Sequence, residues 1–400
     1  MLKWFVAGLI LAFLMAYSPD WLRLLFALLL LIWAICFPFI LSWSLVDLSS
    51  LAFLQAYYGL SESFARLGTR VDRLVLPLVA IAGLSESPLA LFNRLNLANA
   101  LMVNGRFDQA LAVLKELDLS GENFEPVDSA FMPLVLSHLA SVEHYLGQFD
   151  DAMAHLNQAM ILKKSRLLRK DLTDSERNAI HISQAADLYS LGCFYEKLGA
   201  LGQARQTFEQ ALANLAAIDQ EQDLDSQSRA ELEASFRNSL GDLCLRQGDI
   251  MLADQHINEA FRLRSEVLKD SLDADHPIMA ASYENLGRLE LARDNLQVAQ
   301  KWLEKAYAIR LKASKYNTAD LADSERSLAV LKCRQGEAGA AELLSQALVH
   351  KEKIFGESYP DVADVLETFV ELGLGSASLR DQYQIRAQAI RRRFQLSSEQ

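Results

Sequence analysis

Apolar and small residues recur along this chain at one fixed set of separations. Six times a Leu is followed by a Gly or Ala: Leu97-Ala98, Leu139-Ala140, Leu191-Gly192, Leu240-Gly241, Leu286-Gly287 and Leu328-Ala329. Seven residues beyond each small residue stands a turn-forming residue: Gly105, Gly147, Gly199, Gly248, Asp294 or Gly336. An Ala follows five residues later, or four in the last copy, at Ala110, Ala152, Ala204, Ala253, Ala299 and Ala340. In five copies another Ala lies seven residues further on (Ala159, Ala211, Ala260, Ala306, Ala347), while the first copy has Leu117. Self-similarity on this scale predicts a solenoid of helix pairs. The small residue falls inside a helix, where Gly costs roughly 1 kcal/mol relative to Ala, so its recurrence marks a close helix–helix approach. The later Gly suits the left-handed conformation that ends a helix, and Asp294-Asn295 tolerates it better than most residues. Two alanines two turns apart place two small contacts on one face of the second helix.

The pattern resembles the tetratricopeptide repeat. Its C-terminal part is similar to the longer repeats of kinesin light chains and their bacterial relatives. Asp275-His276-Pro277 through Asn285-Leu286-Gly287, then Ala299, Ala306 and Ile309-Arg310, reads as one such unit, and Phe355-Gly356-Glu357 with Tyr359-Pro360-Asp361-Val362-Ala363 as the start of the next. Successive first alanines are 42, 52, 49, 46 and 41 residues apart, so the repeats are longer than the general unit of about 34. The resemblance covers about residues 91–372, with degenerate first and last copies as in capping repeats. It implies an all-α, right-handed superhelix of about six repeats over 91–400, closed by a C-terminal capping helix pair. Thr173-Asp174-Ser175-Glu176 and Ser228-Arg229-Ala230-Glu231 have the form of capping boxes, and Pro277 and Pro360 suit a first helical turn.

The N-terminal residues follow another rule. Leu24 to Val46 carry no charge, and at about 1.5 Å per residue such a helix is long enough to cross a bilayer core of about 30 Å. Trp21 and Trp43 near its ends suit the membrane interface. Trp4 to Tyr17 is apolar but short. It reads as a first span turning at Ser18-Pro19-Asp20, as a signal peptide behind Lys3, or as an interfacial helix. Residues 1–46 are thus expected to be a membrane anchor (span 24–46, with a first span over 1–17 in the hairpin reading) and 47–90 a juxtamembrane helical linker. For a hairpin, Lys3 with Arg66, Arg70 and Arg73 against Arg23 puts the repeats in the cytoplasm; a single span or a cleaved first segment leaves them outside or leaves the side open.

Charge narrows the partners. The chain has net charge −12, and residues 1–90 balance five Lys/Arg against five Asp/Glu, so the acidity lies in the repeats. An acidic array is a poor nucleic-acid binder. The four cysteines form no C-x-x-C pair, and the histidines are scattered. The chain has no phosphate-binding glycine loop, no H-E-x-x-H and no nucleophile set in a supporting context, so neither catalysis nor a cofactor or metal is expected.

In the resembled family the first helix of each repeat lines the concave surface. Carried onto this chain, that rule points to a peptide-binding groove of Tyr189, Lys197, Asn238, Asp242, Arg246, Glu284, Arg288, Arg326 and Arg334. Basic groups inside an acidic protein point to an acidic peptide or a terminal carboxylate, with ion pairs between neighbouring helices as the plainer reading. The Lys/Asn set that clamps terminal carboxylates in some members is not matched. The expected function is a membrane-anchored scaffold whose groove mediates protein–protein interaction. The alternative is a structural subunit of a larger membrane-associated assembly, which would expose apolar patches instead of a polar groove.

Overall fold

The computed structural model describes residues 61–63, 65–67, 69–70, 88–117, 131–216, 218, 226–268, 276–313 and 319–398. The expected membrane anchor, 1–46, and most of the linker lie outside the described residues. Among those described, no helix is long and apolar enough to cross a membrane. The chain divides into two compact units, Met1–Asp128 and Ser129–Gln400. The first repeat is therefore grouped with the N-terminal unit.

In that first unit, α1 (Pro88–Val103) and α2 (Phe107–Lys115) pair across a turn at Gly105. Glu62, on a helical stretch before α1, accepts hydrogen bonds from Asn104 at 2.6 Å, Arg106 at 2.6 Å and Arg66 at 2.8 Å.

The second unit is a succession of helix pairs: α3 (Phe131–Tyr145) with α4 (Phe149–Leu167), α5 (Asp174–Lys197) with α6 (Leu201–Ala216), and α7 (Ser226–Gln247) with α8 (Ile250–Val267). Next come α9 (Ile278–Ala292) with α10 (Leu296–Ala313), α11 (Ala319–Gln335) with α12 (Ala340–Phe355), and α13 (Pro360–Glu371) with α14 (Ala377–Ser398). All six expected turn residues have positive φ, and Asp294, at +61°, is the one non-Gly to do so among the described residues. The Thr173 capping box forms, with its hydroxyl accepting from the Glu176 N–H and the Glu176 carboxylate accepting from the Thr173 N–H. The Ser228 box does not: α7 begins at Ser226, and Glu231 turns instead to Arg264 at 3.2 Å.

Within each of the first five of these pairs the paired alanines are buried and flank one large residue: Leu156, Phe208, Ile257, Leu303 or Leu344. That residue fills the space opposite the small residue of the preceding helix. A Cβ placed on Gly192, Gly241 or Gly287 would stand 2.5 Å from Phe208, Ile257 or Leu303 respectively.

Successive pairs are joined by a second repeated device. Four residues past the second alanine of a repeat stands a basic side chain that reaches the next pair. Lys163 bonds Asp187 at 2.6 Å, Arg264 bonds Ser282 at 2.8 Å, Arg310 bonds Ser324 at 2.8 Å, and Lys351 bonds Asp361 at 3.0 Å. Between α6 and α7 the same two positions are Leu215 and Phe236, packed in one apolar cluster. The apolar pair occupies the place of the polar staple, so no charge is buried at that junction.

The last pair returns to the first pair of this unit. Phe394 packs edge-on against Phe149 with ring centroids 5.1 Å apart, Tyr359 lies 6.1 Å from Phe149, and Phe355 stacks over Tyr145 at 6.2 Å. The Tyr359 hydroxyl donates to the His144 carbonyl at 3.2 Å. Burial, with Lys197 nearby, pulls the His144 imidazole down to about 3, so it packs neutral against Phe194 at physiological pH. The solenoid of residues 131–398 therefore closes on itself.

Candidate functional site: a polar chamber inside the closed solenoid

Closure forms a chamber of about 260 Å³, open to solvent, between the first helices of five successive pairs, α5, α7, α9, α11 and α13, with Arg310 reaching in from α10. Of the nine groove residues expected from sequence, seven line it: Lys197, Asn238, Asp242, Arg246, Glu284, Arg288 and Arg326. The other two lie elsewhere. Tyr189 is taken up in packing, stacked on Phe236 at 4.9 Å and sharing a hydrogen bond with Ser239 at 3.1 Å. Arg334, at the far end of α11, is 58% exposed and lies 3.7 Å from Asp294.

Most basic groups in the chamber already have partners. Arg246 pairs with Glu196 at 2.6 Å, Arg288 with Asp242, and Lys197 with Asp361. Arg310 reaches Glu284 at 3.2 Å, and Ser324 donates to the same carboxylate oxygen at 2.9 Å. Arg246, Arg288 and Arg326 thus do not act as one cationic set. With Glu196, Asp242, Glu284, Asp323, Asp361 and Asp364 facing Lys197, Arg246, Arg288, Arg310 and Arg326, the lining is close to balanced. An acidic ligand finds no cationic surplus here.

Three groups keep unused hydrogen-bonding capacity. Arg326 makes no hydrogen bond or salt bridge among the described residues, and its charge persists because Asp364, Asp323, Glu284 and Asp361 outweigh its burial. The Asn238 Oδ1 and Glu284 Oε1 atoms are buried without a hydrogen-bond partner. Burial pushes the Glu284 carboxyl up, against the pull of Arg310 and two serine hydroxyls. Unsatisfied buried acceptors cost about 1–3 kcal/mol each. Cys193, next to Gly192 on α5, has its thiol pushed up to about 12 by burial, so it offers no thiolate.

Sequence reasoning missed Glu196, Arg310, Asp323, Asp361 and Asp364. Asp323 stands three residues before Arg326 and shares its helix face, a spacing that would have found it. Nothing local predicts Asp361 and Asp364, because ring closure carries them to α5.

Family models for the tetratricopeptide repeat match residues 231–312 and 188–213. Tetratricopeptide repeats are present in this chain. No curated protein matches it. Among solved structures, the Rap conjugation gene regulator of plasmid pLS20, in complex with the Phr* peptide, is similar with TM-score 0.58 at 15% identity, over 90% of this chain and 97% of that one. The apo form of RapI is similar with TM-score 0.48 at 16% identity, over 76% and 97% of the two chains. Kinesin-light-chain TPR-like repeats from Podosopora anserina give TM-score 0.34 at 23% identity, over 57% and 98%. At 15% identity the likeness to the Rap regulator is one of fold.

Proposed function

We propose that the closed tetratricopeptide solenoid is a receptor for a short peptide or an extended protein segment, which it holds inside the chamber. The carrying observation is the meeting of the Arg326 guanidinium with two unsatisfied buried acceptors, Asn238 Oδ1 and Glu284 Oε1, in one polar cavity. An extended backbone supplies carbonyls for the arginine and N–H groups for the carboxylates of the lining, which suits a segment of balanced charge. The peptide carried by the Rap regulator supports this reading by analogy of fold. The chamber's polarity favours a binder over a subunit buried in an assembly, whose inner face would be apolar.

The experiment is photo-crosslinking from the chamber wall in cells, followed by affinity measurement on the peptide recovered. Replacing Arg326 and Asn238 together with Ala should weaken binding at least tenfold, about 1.4 kcal/mol. A folded double variant that binds as tightly as wild type would remove the chamber as the site.

We further propose that this receptor is held at a membrane, tethered by residues 24–46, with the repeats in the cytoplasm. The charge-free length of that segment and the Lys/Arg distribution support it. Full-length protein should stay with membranes through alkaline carbonate washing, and a C-terminal cysteine label should be reactive from the cytoplasm alone. Complete release by the wash would end the tether; labelling from outside would reverse the topology.

A further inference from the structure

A second cavity, of about 340 Å³, lies at the seam where the solenoid closes, between the α5–α6 turn and the α13–α14 pair. Leu198 and Leu201 on one side and Pro360 and Phe394 on the other give it apolar walls, and the charged groups on its lining include the mutually paired Glu367 and Arg391. Lys197 and Arg246 line both this cavity and the chamber, so the two spaces meet across a shared wall. The turn residue at its rim is Gly199, and a Cβ there would meet nothing within 4 Å.

We propose that the seam cavity is a second subsite for the same ligand and takes one apolar side chain, of Leu, Ile, Met or Phe size, from the peptide held in the chamber. This rests on the chamber being a peptide site. Three features select that occupant. The wall offers apolar surface, which only an apolar group improves by covering. At the low end of the range for ligand pockets, about 300–1,000 Å³, the cavity is too small for the roughly 1,000 Å² contact that a folded partner needs. It lies next to the chamber, with Lys197 and Arg246 lining both, so a chain leaving the chamber over that wall has the cavity within reach. The two subsites together define a ligand class: a segment that is polar where it lies against Asn238 and Arg326 and apolar at one position beyond.

The test uses a random octapeptide library displayed on phage and selected on the full-length protein. Selected peptides should share one position enriched in Leu, Ile, Met or Phe. Two wall variants then ask where that position binds. Leu201→Glu puts a carboxylate on the apolar wall, and Gln395→Glu puts one on the lining from an exposed position. Either variant should cut the apolar enrichment at that position at least about tenfold, the scale of apolar-pocket discrimination, while leaving the polar positions as they were. Selection on Arg326→Ala separates the two claims. If Arg326→Ala abolishes selection but the wall variants keep the same apolar position, or if wild type selects no apolar position, the seam subsite is wrong and the chamber stands. If no peptide is enriched, or the same peptides survive on Arg326→Ala, both are wrong.

Discussion

Asp361→Ala should destabilise the repeat unit by about 3–5 kcal/mol, the cost of stripping one partner from buried ions. Asp361 is the joint of the closed solenoid. It accepts from Lys351 on α12 at 3.0 Å and from Lys197 on α5, on the far side of the closure. Lys351 is 3% exposed, so removing the carboxylate strands an ammonium with little water. Its other partner, Asp323 at 2.9 Å, is 40% exposed and compensates weakly. Burial raises the Asp361 carboxyl, but Lys197 and Lys351 overcome it and hold it well below the usual carboxylate range. A depressed native pKa contributes stability that is complete above the unfolded value of about 3.9 and is lost as pH falls below it. Wild-type protein should therefore lose stability below about pH 4, and Asp361→Ala should show a flatter acid limb. Denaturant midpoints across pH 3–7 for both proteins measure this. Equal midpoints at pH 7 would show that Asp361 does not hold the closure.

Gly287→Leu should cost about 1–3 kcal/mol or more, because the added side chain enters a filled space. A Cβ at that position alone would stand 2.5 Å from Leu303 Cγ and 3.2 Å from the Leu303 backbone nitrogen, so the helix and not only the side chain must move. Replacing Gly returns roughly 1 kcal/mol of helix propensity, which offsets part of the penalty. Gly202 is the control. It is helical, and a Cβ there would meet nothing within 4 Å, so Gly202→Ala should be neutral or stabilising by up to about 1 kcal/mol. Thermal melts followed by circular dichroism give both values. A Gly287→Leu protein that melts with wild type would dissolve the proposed fit between small and large residues in each pair.

Helix pairing was legible in the chain because its causes are local. The left-handed Gly at each turn, the Leu-Gly or Leu-Ala step and the paired alanines all act over fewer than about twenty residues, and the spacing of small and apolar positions reports them directly. The same locality placed seven of the nine groove residues in the chamber, since one helix face per repeat looks inward. Tyr189 and Arg334 went astray because the spacing gives the face of a helix but not which neighbours fill it. The staples between repeats were also present in the chain, four residues past each second alanine, with Leu215 and Phe236 as the apolar exception.

Closure was decided by the tertiary structure alone. Tyr359 meets His144 across 215 residues, and Lys197 meets Asp361 across 164. Such a contact depends on the accumulated rotation of every pair between its two ends, a small angle per repeat that no single segment encodes. It is this return that forms the chamber, brings Asp361 and Asp364 against the basic groups, and leaves Arg326 there with no hydrogen bond or salt bridge among the described residues. The sequence by itself determined a solenoid of helix pairs with a polar inner face; the summed geometry of those pairs determined that the face became a chamber, and which of its charges remained free.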